Sequence, residues 1–301
     1  MGFLINPYNF VVEFSPTRGV ICGGQTSIVN TMDYITIATT GNAIDFGDLN
    51  FASYEVAGVN SSTRGCIAGG WTGSTAENSI NYITILTTGN ATDFGDLSAG
   101  RYGCAGVNSS TRGVFCAGND VSVRVNILEY ITIATTGNAT DFGDASAAIA
   151  AVAGNMSNGS RGVFGGGNRV GDTFSSILEY ITIATTGNST NFGNLTEGGY
   201  SPAGLSNTTR GVIGGRLKTG SVNSNTIDYI TIATTGNATD FGDLTIASSS
   251  VCGGLSNNVR GCFAGISGTN TIEYITIATT GNSTDFGDLT DARNSSAGVT
   301  G

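Results

Sequence analysis

Short runs of alternating apolar and polar residues, broken by polar turns, recur along this chain, and no stretch holds a 3.6-residue apolar period long enough for a helix. One stretch shows the pattern. Tyr102–Val107 predicts a strand, and the polar Asn108-Ser-Ser-Thr111 predicts a turn. Arg112-Gly-Val-Phe-Cys-Ala-Gly118 predicts a second strand. After a variable loop, Ile127–Ala134 is rich in β-branched residues and almost continuously apolar, so it predicts a third strand covered on both faces. Thr-Thr-Gly137-Asn138 predicts a hairpin turn, because Gly and Asn tolerate positive φ. Ala139–Asp144 predicts a fourth strand.

The same order repeats. Tyr-Ile-Thr-Ile recurs with its Tyr at 34, 82, 130, 180, 229 and 274, in steps of 48, 48, 50, 49 and 45 residues. An Arg-Gly pair keeps phase with it at Arg18, Arg64, Arg112, Arg161, Arg210 and Arg260. A lone four-stranded sheet cannot bury both faces, but packing between two neighbours does so. The chain is therefore expected to be an all-β, six-bladed β-propeller of four-stranded antiparallel blades at residues 15–301, preceded by a peptide at 1–14. Asn294–Val299 supplies the sixth first strand and is expected to join the N-terminal blade, closing the ring and removing the sheet edges.

Composition narrows the chemistry. The 301 residues include 47 Gly, about 16% against a usual ~7%, and no His. Imidazole acid–base chemistry, Ser-His-Asp triads and His metal ligands are thereby excluded. The net charge is −10 and Lys218 is the only lysine, so a basic stripe for nucleic acid or an anionic membrane is missing. No apolar run reaches the ~18 residues a spanning helix needs. The six cysteines, Cys22, Cys66, Cys104, Cys116, Cys252 and Cys262, form no CxxC pair and predict buried thiols, with a Cys104–Cys116 bridge left open. Residues 1–10 lack the basic start of a secretory signal.

The repeat resembles the kelch family of β-propellers. Gly23-Gly24, Gly69-Gly70, Gly165-Gly166 and Gly214-Gly215 match its doublet, and Ala117-Gly118 and Ala264-Gly265 depart mildly. The third-strand Tyr matches in every unit, whereas Phe46, Phe94, Phe142, Phe192, Phe241 and Phe286 replace the usual Trp. The family's trailing Arg survives at Arg101 and Arg293. This resemblance implies the fold and leaves the activity open.

Three groups of residues could carry chemistry. The position before each Tyr is Asp33, Asn81, Glu129, Glu179, Asp228 or Glu273, and pairing with the Arg that opens the second strand is expected as a structural contact. Asp-Phe-Gly-Asp recurs on the fourth strand, and Asp93, Asp96, Asp285 and Asp288 are weak Ca²⁺ candidates beside the simpler role of turn and edge chemistry. No other cofactor is expected. A sialidase-type Asp box is matched only in part by Ser283-Thr-Asp285-Phe-Gly287, with Thr290 in the place of Trp. A catalytic site is not expected, although a two-carboxylate glycosidase stays formally open.

The variation between units is the third signal. The first-to-second and third-to-fourth turns are nearly constant, and in an up-down blade both lie on one face. The second-to-third and interblade loops lie on the other face and diverge. Binding residues concentrate on such loops, and Trp71, Arg101, Tyr102, Arg124, Arg169, Tyr200, Arg216 and Lys218 fall there. The apolar opening, with Phe3, Leu4, Ile5, Pro7, Tyr8 and Phe10, resembles the start of some bacteriophage virion proteins, and the Gly/Ser/Thr-rich repeats resemble phage fibre or decoration modules. These resemblances imply a non-enzymatic adhesion propeller on a virion or other extracellular assembly. The peptide would dock on a virion structural protein and the variable face would bind a host-surface glycan or protein. A purely structural decoration subunit is the alternative.

Overall fold

The computed structural model describes residues 17–250 and 253–301; the proposed anchor residues Phe3 to Phe10 and Cys252 lie outside them. The fold is a six-bladed β-propeller of four-stranded antiparallel sheets, and the only helical turn among the described residues is Ile266–Gly268. The third blade is representative. Its strands are Ala105–Asn108, Arg112–Asn119, Arg124–Thr132 and Thr140–Asp144, running outward from the axis. The innermost strands touch one another in a closed circle.

Ring closure follows the expected route. Ala297–Thr300 pairs antiparallel with Arg18–Gly24, with Val20 opposite Val299 and Cys22 opposite Ala297, so the first blade contains both ends of the described chain.

The core lies between blades rather than within them. Each of six apolar clusters joins two neighbours; one combines Val114, Leu128 and Phe142 with Phe164, Ile181 and Ile183 of the next blade. This placement explains the apolar third strand, whose two faces meet different neighbours.

At the axis the inner strands meet through glycine. A Cβ on Gly58, Gly106, Gly154, Gly204, Gly254 or Gly298 would lie 2.0–2.7 Å from the carbonyl oxygen of the corresponding glycine one blade back. No side chain fits that approach, so this glycine of each inner strand is a packing requirement. The fourth blade departs from the pattern. Its inner strand, Ala153–Ser157, carries one extra residue, and the register shifts between Ala153 and Met156. The bulged Asn155 has φ 58° and sends its Nδ2 across the axis toward the carbonyls of Gly254 at 3.4 Å and Gly298 at 3.2 Å.

Two expectations about segments change. The second-to-third connections of the third and fifth blades are hairpins: strands extend to Asn119 and from Arg124, and to Lys218 and from Val222. The Asp120 side chain accepts from the Ser122 and Val123 N–H groups at 2.6 and 3.0 Å, which forms the tight turn and lets pairing continue. The asparagine of Thr-Thr-Gly-Asn also differs from expectation. Gly41, Gly89, Gly137, Gly187 and Gly281 take φ of 154–156°, but no asparagine there has positive φ. Its side chain instead reaches the preceding blade: Asn138 Oδ1 accepts from the Asp96 N–H at 3.1 Å, and all six units repeat this bond.

Candidate functional site

The recurrent arginine and acid do not pair with each other. Arg112 lies opposite Thr132, whereas Glu129 lies opposite Phe115, three residues away along the strand. That offset is about 10 Å and places the two side chains on opposite faces of the sheet. The guanidiniums of Arg18, Arg64, Arg112, Arg161, Arg210 and Arg260 instead stack 4.2–4.4 Å from the centroid of their own blade's Tyr. Each also donates to the carbonyl at the end of the next blade's third strand, as Arg64 Nη1 does to Ile133 at 3.0 Å. Each Tyr in turn meets the fourth-strand Phe edge to face at 6.1–6.2 Å.

The buried acid serves another contact. Its oxygen accepts a backbone N–H from the residue just past the preceding blade's outer strand, as Glu129 does from Ser98 at 3.1 Å, and Asn81 does the same from Asn50 at 3.3 Å. Four of these acids also hold a different arginine: Arg101 on Glu129, Arg169 on Glu179, Arg216 on Asp228 and Arg293 on Asp33. Glu273 takes hydroxyl bonds from Thr245 and Ser283. Burial works to raise the Glu179 carboxyl, but bonds from Ser146, Ser189 and Arg169 outweigh it and hold the group below the usual range.

This assignment changes the expected contact set. Arg101 is 2% exposed and Arg216 0%, both in ion pairs beneath the surface, so neither belongs to a recognition surface. Arg169 is largely committed to Glu179 and Ser146. Lys218 is half-buried and bonds Glu197 at 3.0 Å.

The aromatic residues are brought together. Trp71 comes from the second-to-third loop of the second blade, and Tyr54 and Tyr102 from the segments before and after that blade. Tyr54 and Trp71 exchange backbone bonds at 2.8 and 3.2 Å, and the Trp71 and Tyr102 rings lie 5.1 Å apart at 55°. All three are partly exposed, and Arg124 lies within electrostatic reach of Tyr102. Tyr200 pairs separately with Phe174 at 5.7 Å.

Beside this wall the axis opens into a cavity of about 80 Å³. Its collar is built from the residues that precede the inner strands. Glu55, Gly103, Ala151, Ser201 and Ser295 all have φ of 53–66°. Their backbones are chained: Glu55 N–H to the Ser295 carbonyl, Gly103 to Glu55, Ala151 to Gly103 and Ser201 to Ala151, at 2.7–2.9 Å. Glu55 is the only charged residue among the described lining residues. Burial pushes its carboxyl up to about 7. Sequence reasoning passed over Glu55. Its signal was available in the repeat, where the other units carry Gly103, Ala151, Ser201, Val251 and Ser295 at this position.

The opposite mouth, of about 270 Å³, is lined by Asn, Ser, Thr and Gly of the constant turns. Its side chains are spent on the ring: Asn60 Nδ2 donates to Thr300 at 2.7 Å, Asn108 Nδ2 to Asn60 at 2.7 Å and Ser256 Oγ to Ser206 at 2.7 Å.

Cys22, Cys66, Cys104, Cys116 and Cys262 are buried free thiols, with no Cys104–Cys116 bridge. Burial raises them all, Cys104 to about 11. Among the described residues no three Cys, Asp or Glu side chains converge as a metal cluster, and the Asp-Phe-Gly-Asp strands carry the neighbour's turn against their glycine. No described helix is long and apolar enough to cross a membrane. No protein-family model matches the chain, and no curated protein matches it.

Proposed function

We propose that this chain is a non-catalytic binding propeller that recognises a glycan through its diversified face. Residues 1–14 attach it to a virion or other extracellular assembly. The reading rests on one observation: Tyr54, Trp71 and Tyr102, drawn from three different connections, form a partly exposed aromatic wall beside the axial cavity. Aromatic faces fixed on a rigid scaffold offer large contact area at small entropic cost. The kelch and phage-module likenesses of the repeat agree with this role. A glycosidase needs two carboxylates, and Glu55 is alone among the described lining residues.

A glycan array and host-cell binding test the reading. Trp71→Ala and Tyr102→Ala should each weaken binding at least ~10-fold, the loss typical of an aromatic anchor. Unchanged binding in both variants removes the site. Binding to a protein partner alone moves the ligand class, and no binding partner at all favours the structural-subunit reading, which the spent polar groups of the constant face support. Deletion of residues 1–14 should abolish incorporation into the parent particle; a shortened chain that still assembles overturns the anchor.

A further inference from the structure

Glu55 is a carboxylate that the fold does not neutralise. Among the described residues it makes no ion pair and no side-chain hydrogen bond, and no described lining residue of its cavity carries a positive charge. Its Oε2 lies 3.1 Å from where a Cβ on Gly103 would be, so the bare backbone of the neighbouring unit leaves the carboxylate room at the cavity mouth. The collar bonds at its N–H and carbonyl hold the backbone in a left-handed conformation that disfavours side chains. Glu179 sets the contrast. At 1% exposure, against the half-buried Glu55, it is matched by an arginine and two hydroxyls. A half-buried carboxylate left without such partners is open to a cation from outside once it ionises.

The surroundings favour that cation as well. Glu55 lies within electrostatic reach of Tyr54 and Tyr102, and Trp71 packs on Tyr102. Aromatic faces attract ammonium groups, and the net charge of −10 draws cations toward the protein. The cavity, at about 80 Å³, is roughly half of one that takes up benzene, so it admits a head group and leaves a sugar ring at the rim.

We propose that the axial cavity seats a primary ammonium group on Glu55, so that the glycan recognised at the aromatic wall is one bearing an amino substituent. The inference rests on the reading of this face as a glycan site. The other titratable groups facing Glu55 are Tyr54 and Tyr102, raised chiefly by burial, and Cys104, raised to about 11; all three are neutral near pH 7. Affinity for the ammonium therefore rises with pH as Glu55 ionises.

Calorimetry with 2-aminoethyl glucoside and 2-hydroxyethyl glucoside, alike in size and different by one charge, tests this on the full chain. At pH 8 the amine should bind at least ~10-fold more tightly, as a charge-assisted bond implies. At pH 5.5 the preference should fall to within about two-fold, since Glu55 is then protonated. Glu55→Gln should abolish the preference at both pH values while keeping the melting temperature. Equal binding of the two glucosides, or a preference that survives Glu55→Gln, overturns the ammonium site and leaves the glycan reading intact. Glu55-dependent binding of methylammonium without binding of either glucoside supports the ammonium site and overturns the glycan reading. No binding of any of the three overturns the ammonium site.

Discussion

Arg216 and Asp228 meet at 2.9 Å with both side chains at 0% exposure. The acid slot they fill recurs in every blade, yet its cation comes from different places. Arg101 and Arg293 arrive from the preceding interblade segment, Arg169 from beyond the second strand of its own blade, and Arg216 from within that strand. Where the second blade has no such arginine, the acid is Asn81. The sixth blade keeps its acid without an arginine, and the Thr245 and Ser283 hydroxyls hold Glu273 instead, so four of the five buried acids carry a countercharge. Arg216→Met alone should cost about 3–5 kcal/mol in urea unfolding, because it strands Asp228. Arg216→Met with Asp228→Asn should recover most of that loss, copying the second blade. A double variant as unstable as the single one would show that Arg216 acts through packing and not charge.

At the scale of strands and turns, much was legible. The Tyr-Ile-Thr-Ile tract, the Arg-Gly pair and the polar turns placed all four strands of each unit, because alternation and turn residues act locally. The apolar packing between units was legible too, and what escaped was every polar contact between them. Spacing alone gives no sign that Arg112 belongs to Tyr130 and to Ile183 of the next blade, or that Asn138 serves Asp96. Loop variability was also a weak guide to exposure, since it singled out Arg101 and Arg216, whose charges are consumed inside. Glu55 and Asn155 had a better signal, each being an exception to an otherwise regular repeat position. Such exceptions mark the cavity and its floor and went unread, because variation in length and polarity points only to the face.

Across the whole molecule, each blade holds the next by the same small set of bonds, and the first holds the last through Ala297–Thr300. Removing residues 294–301 should uncover the Arg18–Gly24 strand as a free edge. Size-exclusion chromatography should then show loss of the monomer peak to larger species. A shortened chain that stays monomeric with an unchanged melting temperature would mean that the circle is held without its last strand. Asn155 has a further consequence. With its amide spanning the centre, the molecule is two shallow cups set back to back and not a pipe. Asn155, Gly254 and Gly298 line both cups, so a change at this one amide alters the floor of the cup over Glu55 and of the cup opposite together.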